Sequence, residues 1–179
     1  MNHLSEVLDL LARQPCCGYR EGGAVFSEPT ALAALALVRH GRRQAALKAL
    51  QRLARLQRPD GGVPVSESQD GPCWTTSLAV LAWTAADQSN TAGPTWGVQV
   101  RAGLHWLMEA RGETMARPEV QAHDSTLVGW PWVPGTHSWV EPTSMALLAL
   151  RAAGKGTHAR AREATRLLLD RLLPAGGAN

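Results

Sequence analysis

The feature that most constrains this chain is a unit that returns three times and begins a fourth. Gln57-Arg58-Pro59-Asp60-Gly61-Gly62 leads through a polar stretch to Thr76-Ser77-Leu78-Ala79-Val80-Leu81-Ala82-Trp83. Glu28-Pro29-Thr30-Ala31-Leu32-Ala33-Ala34-Leu35-Ala36-Leu37 and Glu141-Pro142-Thr143-Ser144-Met145-Ala146-Leu147-Leu148-Ala149-Leu150 repeat its second half closely. Pro174-Ala175-Gly176-Gly177 then reopens its first half. A unit of this size cannot bury its apolar face alone and must stack on its neighbours, so the chain is expected to be a repeat array.

The residue types say what each unit is made of. Leu and Ala dominate, β-branched runs are missing, and there is a single Phe and a single Tyr, a composition that favours helices over strands. Two helix types alternate. In the first, Leu47, Leu50, Leu53 and Ala54 form an apolar face opposite Lys48, Arg52 and Arg55, and Ala164, Leu167, Leu168 and Leu172 repeat that pattern. In the second, over 31–38 and 145–150, the helix is apolar almost all round. Such a helix is expected to be covered on every side, which predicts an inner layer enclosed by an outer amphipathic one. Leu35, Leu81 and Leu148 are accordingly expected away from the wet exterior.

Pro29 and Pro142 suit the first turn of a helix, and Gly41 and Gly154 fall where inner helices should stop. About seven helices are predicted, near 3–13, 28–40, 43–57, 75–86, 96–111, 141–153 and 158–173. The expected fold is therefore all-α, as one repeat domain over 1–179. The repeated threonines Thr30, Thr76 and Thr143 are unevenly spaced, and the excess lies in a stretch from Gly112 to Val140 rich in Gly, Pro and His with Trp130, Trp132 and Trp139. Loops longer than about 15 residues are uncommon in compact domains and tend to carry function, so this one is the first place to look for a site.

Composition narrows the function classes. An apolar fraction of 45% and a charged fraction of 18% describe a globular chain. Net charge is +3, and the nearest approach to a basic block, Arg39, Arg42 and Arg43, suits a helix end, so no nucleic-acid partner is expected. No run of 18 apolar residues occurs and no leader-like segment opens the chain. Three cysteines, Cys16, Cys17 and Cys73, follow no scaffold spacing, which predicts reduced thiols in a cytoplasmic setting. Peripheral membrane contact through an apolar patch is compatible with these features.

Beyond these signals, the chain resembles the prenyltransferase and squalene-cyclase repeat family. The cyclase repeat runs from a basic residue and a small residue through an aromatic-Leu pair to Gln, Gly and Trp. Lys48, Ala49, Leu53, Gln57 and Gly61 hold those places, Arg101, Ala102, Trp106 and Leu107 match the first half of another copy, and Ala164, Leu168 and Gly176 match a further one. Arg52 replaces the aromatic residue, and Val63 and Ala178 stand where the closing Trp belongs. The resemblance implies an α/α toroid, here a partial one of about seven helices in alternating inner and outer positions, incomplete towards the C-terminus. It also implies an apolar isoprenoid ligand held on a concave face. Self-association, or a second chain that completes the ring, would cover the open edge.

The cyclases take their proton from an acidic motif at the start of an inner helix. Carried over by the repeated Thr, its middle position falls on Glu28, Trp74 and Glu141. Glu141, with His137 just before it, and Glu28 are thus the candidate catalytic groups, and a carboxylate–imidazole pair is the chemistry they would offer. Glu-Pro-Thr is equally explained as a helix start, where negative charge and Pro are both favourable. Trp130, Trp132, Trp139 and Trp74 are the candidate ligand-binding aromatics, since their faces suit isoprenoids and developing positive charge; packing is their alternative role. The protein prenyltransferases hold zinc with Asp, Cys and His, and Asp70, Cys73 and His137 are the one trio that could imitate them. The spacing Asp70-Gly71-Pro72-Cys73 is one residue longer than that family's, so no metal and no cofactor is expected. The remaining alternative is a non-catalytic repeat module that binds a protein partner.

Overall fold

The computed structural model describes residues 3–69, 71–89, 95–116 and 123–178. Among the described residues, seven helices make up the regular structure: α1 (His3–Arg13), α2 (Ser27–Arg39), α3 (Arg43–Leu56), α4 (Thr76–Gln88), α5 (Gly97–Glu109), α6 (Val140–Ala152) and α7 (Ala159–Asp170). Among the described residues there is no strand, only the isolated bridges Glu113–His137 and Leu172–Ala178. The fold is all-α, with every predicted helix present and its ends within two residues of expectation, apart from α7, whose last turn stops at Asp170.

The helices sort into two layers by their partners. α2, α4 and α6 pack side by side in chain order, and each also packs on the helix that follows it, α3, α5 or α7. α1 lies against α2 and α3. The alternation written in the sequence is thereby realised, because an all-apolar helix needs neighbours on several sides while an amphipathic one needs them on a single face. Leu37, Leu53, Val80, Trp83, Leu107 and Leu150 are fully buried where the layers meet.

Each unit is fastened by its threonine. Thr76 Oγ1 accepts the Val63 backbone N–H at 2.8 Å and donates to the Cys73 carbonyl at 2.6 Å. Thr143 Oγ1 accepts from the Trp130 N–H at 3.0 Å, and Thr30 Oγ1 accepts from the Cys17 N–H at 3.3 Å. All three threonines are buried. The connecting segment before each inner helix thus has a backbone donor satisfied by a side chain, where no helix or sheet ladder could do it. The first unit therefore begins at Cys17, earlier than its sequence signature.

Units also join through close backbone approach. Gly61, at φ +94°, lies against α5 so tightly that a Cβ there would sit 2.1 Å from the Ala102 carbonyl oxygen. Gln57 Nε2 bonds the Gln99 carbonyl of α5 at 2.9 Å across the same junction.

One expectation needs correction. The inner helices are not covered on every side: Leu32 of α2 is 49% exposed and Leu148 of α6 is 57% exposed, while Leu35 and Leu81 are half-buried. The outer layer covers only one flank of the inner layer, so the opposite flank stays open. Aligned by their threonines, Leu32, Leu78 and Met145 hold one register across α2, α4 and α6, and Leu35, Leu81 and Leu148 hold the next. Leu78 is buried, Leu35, Leu81 and Met145 are half-buried, and the open apolar side chains of this flank are Leu32 and Leu148.

Candidate functional site

The segment between α5 and α6 folds back on itself. Gly112 N–H donates to the Gly129 carbonyl, Glu113 N–H to Thr136 and Trp139 N–H to Trp130, at 3.1, 2.8 and 3.1 Å. Its far side is tied to the end of α7, where Asp124 N–H donates to Asp170 at 2.9 Å and the Arg171 guanidinium donates to the Asp124 carbonyl at 3.3 Å. This folding opens a cavity of about 540 Å³ at the N-terminal end of α6, with Met115, Leu127, Trp132, Trp139 and Val140 as its apolar wall. Glu113, His123, His137, Glu141 and Arg171 supply its polar groups. The volume falls within the range of small-molecule sites, about 300–1,000 Å³.

A second cavity of about 420 Å³ adjoins it, lined by Trp74, Trp106, Trp132, Cys73, His105 and Asp60 among others. Trp132 belongs to both walls. The Trp74 and Trp132 rings meet edge to face, with centroids 4.6 Å apart and planes at 88°, a favourable quadrupole arrangement that fixes both indoles.

Four of the residues singled out from sequence, Trp132, His137, Trp139 and Glu141, therefore share one cavity, and Trp74 lines the neighbouring one. The His137 and Trp139 rings lie 4.7 Å apart. Glu141 is exposed, and among the described residues no hydrogen bond holds its carboxylate. Glu28 is elsewhere. Its carboxylate accepts the Tyr19 hydroxyl in a short bond. Burial, followed by that bond and the Glu28 charge, pushes the Tyr19 hydroxyl up to about 12.

Trp130 lines neither cavity. It is 2% exposed, its indole N–H donates to the Leu107 carbonyl at 2.9 Å, and the Arg160 guanidinium stacks 4.0 Å from its ring. Arg160 is itself buried and donates to the Ala110 and Gly129 carbonyls at 2.8 and 3.2 Å. Burial pulls its pKa below the usual arginine value, partly offset by Glu163. Glu163 receives the opposite treatment: burial pushes it up, but the bonds and charges of Arg160 and Arg111 outweigh that and hold it below the ordinary carboxylate value. The group is a structural hub joining the loop to α7, and no local spacing marks it.

Of the trio compared with a zinc site, Asp70 lies outside the described residues, while Cys73 and His137 line different cavities. Among the described residues no three His, Cys, Asp or Glu side chains gather in a way that could hold a metal ion. Burial raises all three cysteine thiols above their usual range, which keeps them protonated and weakly nucleophilic. No helix is long and apolar enough to cross a membrane among the described residues. No family model matches the sequence, and no curated protein matches it either.

Proposed function

We propose that this protein binds an apolar isoprenoid chain, a polyprenyl or a triterpenoid, along the open flank of its inner helices. The observation that carries the reading is the exposure of Leu32 on α2 and Leu148 on α6, with Leu35, Leu81 and Met145 half-buried beside them on the open flank. Leucines left open on two inner helices, with half-buried apolar side chains between them, favour an apolar partner. The resemblance to squalene-cyclase repeats suggests which one. The cavity beside Trp132 and Trp139 would take one end of the chain, and Arg171, His137 and Glu141 would face a polar head or terminus.

Binding without turnover is the better-supported form of this proposal. Protonating an alkene demands a carboxylic acid kept strongly acidic by its hydrogen-bond partners, and Glu141 sits exposed at the start of a helix. The test is equilibrium titration with squalene and with a prenyl diphosphate, read by tryptophan fluorescence and followed by product analysis. Saturable quenching that weakens at least tenfold in Leu81→Asp is expected. Absence of saturable binding by either compound would discard the reading. Product formed by the protein but not by Glu141→Gln would instead make Glu141 the acid.

A further inference from the structure

The two ends of the helical array expose apolar side chains on their outer helices. On α7 and the residues just after it, Leu169 is 62% and Leu172 59% exposed, with Leu173 beside them. On α1, Leu10 is 59% exposed and Val7 is also open. Between these ends α3 exposes no large apolar side chain and α5 only Val98.

The chain's own junction shows what such an edge accepts. The turn after α3 is closed by Gly61 N–H to Arg58 at 2.9 Å and Arg58 N–H to Gly62 at 2.8 Å, and the α5 backbone lies on it. The turn after α7 repeats both bonds, Gly176 N–H to Leu173 at 2.9 Å and Leu173 N–H to Gly177 at 3.1 Å, with the same φ of +94° at Gly176. Around Gly61 and Gly62 the space is filled by α5, whereas among the described residues nothing lies within 4 Å of where a Cβ would stand on Gly176 or Gly177. A side-chain-free platform flanked by Leu169, Leu172 and Leu173 is thus built in the form that, two units earlier, carries a helix.

We propose that a second copy of this chain fills that place, head to tail, with its α1 laid on the α7 edge through Val7 and Leu10. The junction at Gly61 already runs from the turn after one outer helix onto the next outer helix, so a head-to-tail contact continues that stacking. A single kind of contact then covers both apolar ends. Charge selects the same pairing. Arg162 and Arg166 share the exposed face of α7 with Leu169, which opposes pairing of two α7 edges, while Glu6 stands next to Val7 on α1 with the opposite sign. Such a heterologous contact either closes into a ring or continues as a chain of copies. The inference goes beyond the ligand reading, since α1 and α7 belong to the outer layer, and either can fail without the other.

The experiment uses the whole protein with a head variant, Val7→Glu/Leu10→Glu, and a tail variant, Leu169→Glu/Leu172→Glu. All four side chains are exposed, so far-UV circular dichroism should show unchanged helix content. Light scattering on size exclusion and sedimentation velocity should give at least twice the monomer mass for the unaltered protein and monomer for each variant. An equimolar mixture of the two variants should recover a one-to-one pair, because one intact head still meets one intact tail. The proposal is overturned if the unaltered protein is monomeric, if either variant alone keeps the original mass, or if the mixture stays monomeric.

Discussion

At the scale of single residues, two charge arrangements make direct predictions. Tyr19 is the only tyrosine in the chain, so its titration can be followed by tyrosinate absorbance without interference from another phenol. Burial and the neighbouring Glu28 carboxylate both penalise the phenolate, and its midpoint should lie at about 12. Glu28→Gln should lower it towards 10, the ordinary value, because the Coulombic part of the penalty disappears while burial remains. A midpoint that ignores the substitution would refute the pairing. Glu163 works in the other direction. Its folded pKa is depressed below 4.5, so its contribution to stability is present above that value and fades as pH falls through the lower folded pKa. Denaturant unfolding measured from pH 6 downward should show this loss, and Arg160→Met should flatten the acid limb. The same variant should cost about 3 kcal/mol at neutral pH, since the Ala110 and Gly129 carbonyls lose a charged donor and Trp130 its cationic partner.

At the scale of the element, the threonine clamps explain why the repeat is written as it is. A threonine near the start of each inner helix supplies the acceptor that the preceding segment's N–H requires. Thr76→Val keeps the shape but leaves the Val63 N–H buried and unpaired, which should cost about 1–3 kcal/mol in equilibrium unfolding. Thr143→Val should behave alike through Trp130, whereas Thr165→Val, on the exposed side of α7, should fall within about 0.5 kcal/mol of the parent. The helices were legible because their signals are local: Pro29 and Pro142 mark starts, Gly41 and Gly154 mark stops, and the apolar period separates inner from outer. The clamps were half-visible, as a threonine recurring without a stated reason. Nothing near Cys17 in sequence shows that Thr30 bonds its backbone. The stacking of Arg160 on Trp130 joins residues far apart in the chain, and no periodicity encodes such a pair. In the candidate site, Trp132, Trp139, His137 and Glu141 were found together because one loop carries them all. Trp130 takes the alternative, packing role, because indoles two residues apart in an irregular loop can face opposite ways.

At the scale of the whole molecule, the question is which flank of the inner layer the fold leaves open. An all-apolar helix does not say by its sequence which of its sides will lack a neighbour; only the number and position of the packed helices decide that. The layering makes a paired prediction. Leu37 on α2 is fully buried between the layers, and Leu37→Ala should cost about 2–5 kcal/mol because the cavity left behind cannot collapse fully. Leu148 on α6 lies on the open flank, and Leu148→Ser should change stability by less than about 0.5 kcal/mol. Its effect should fall on binding instead, lowering the affinity for squalene or for an apolar fluorescent probe. Guanidinium unfolding and probe titration on the same two variants separate the roles. Equal destabilisation by both would mean that Leu148 is covered in solution, and the open apolar flank would then be unavailable to any ligand.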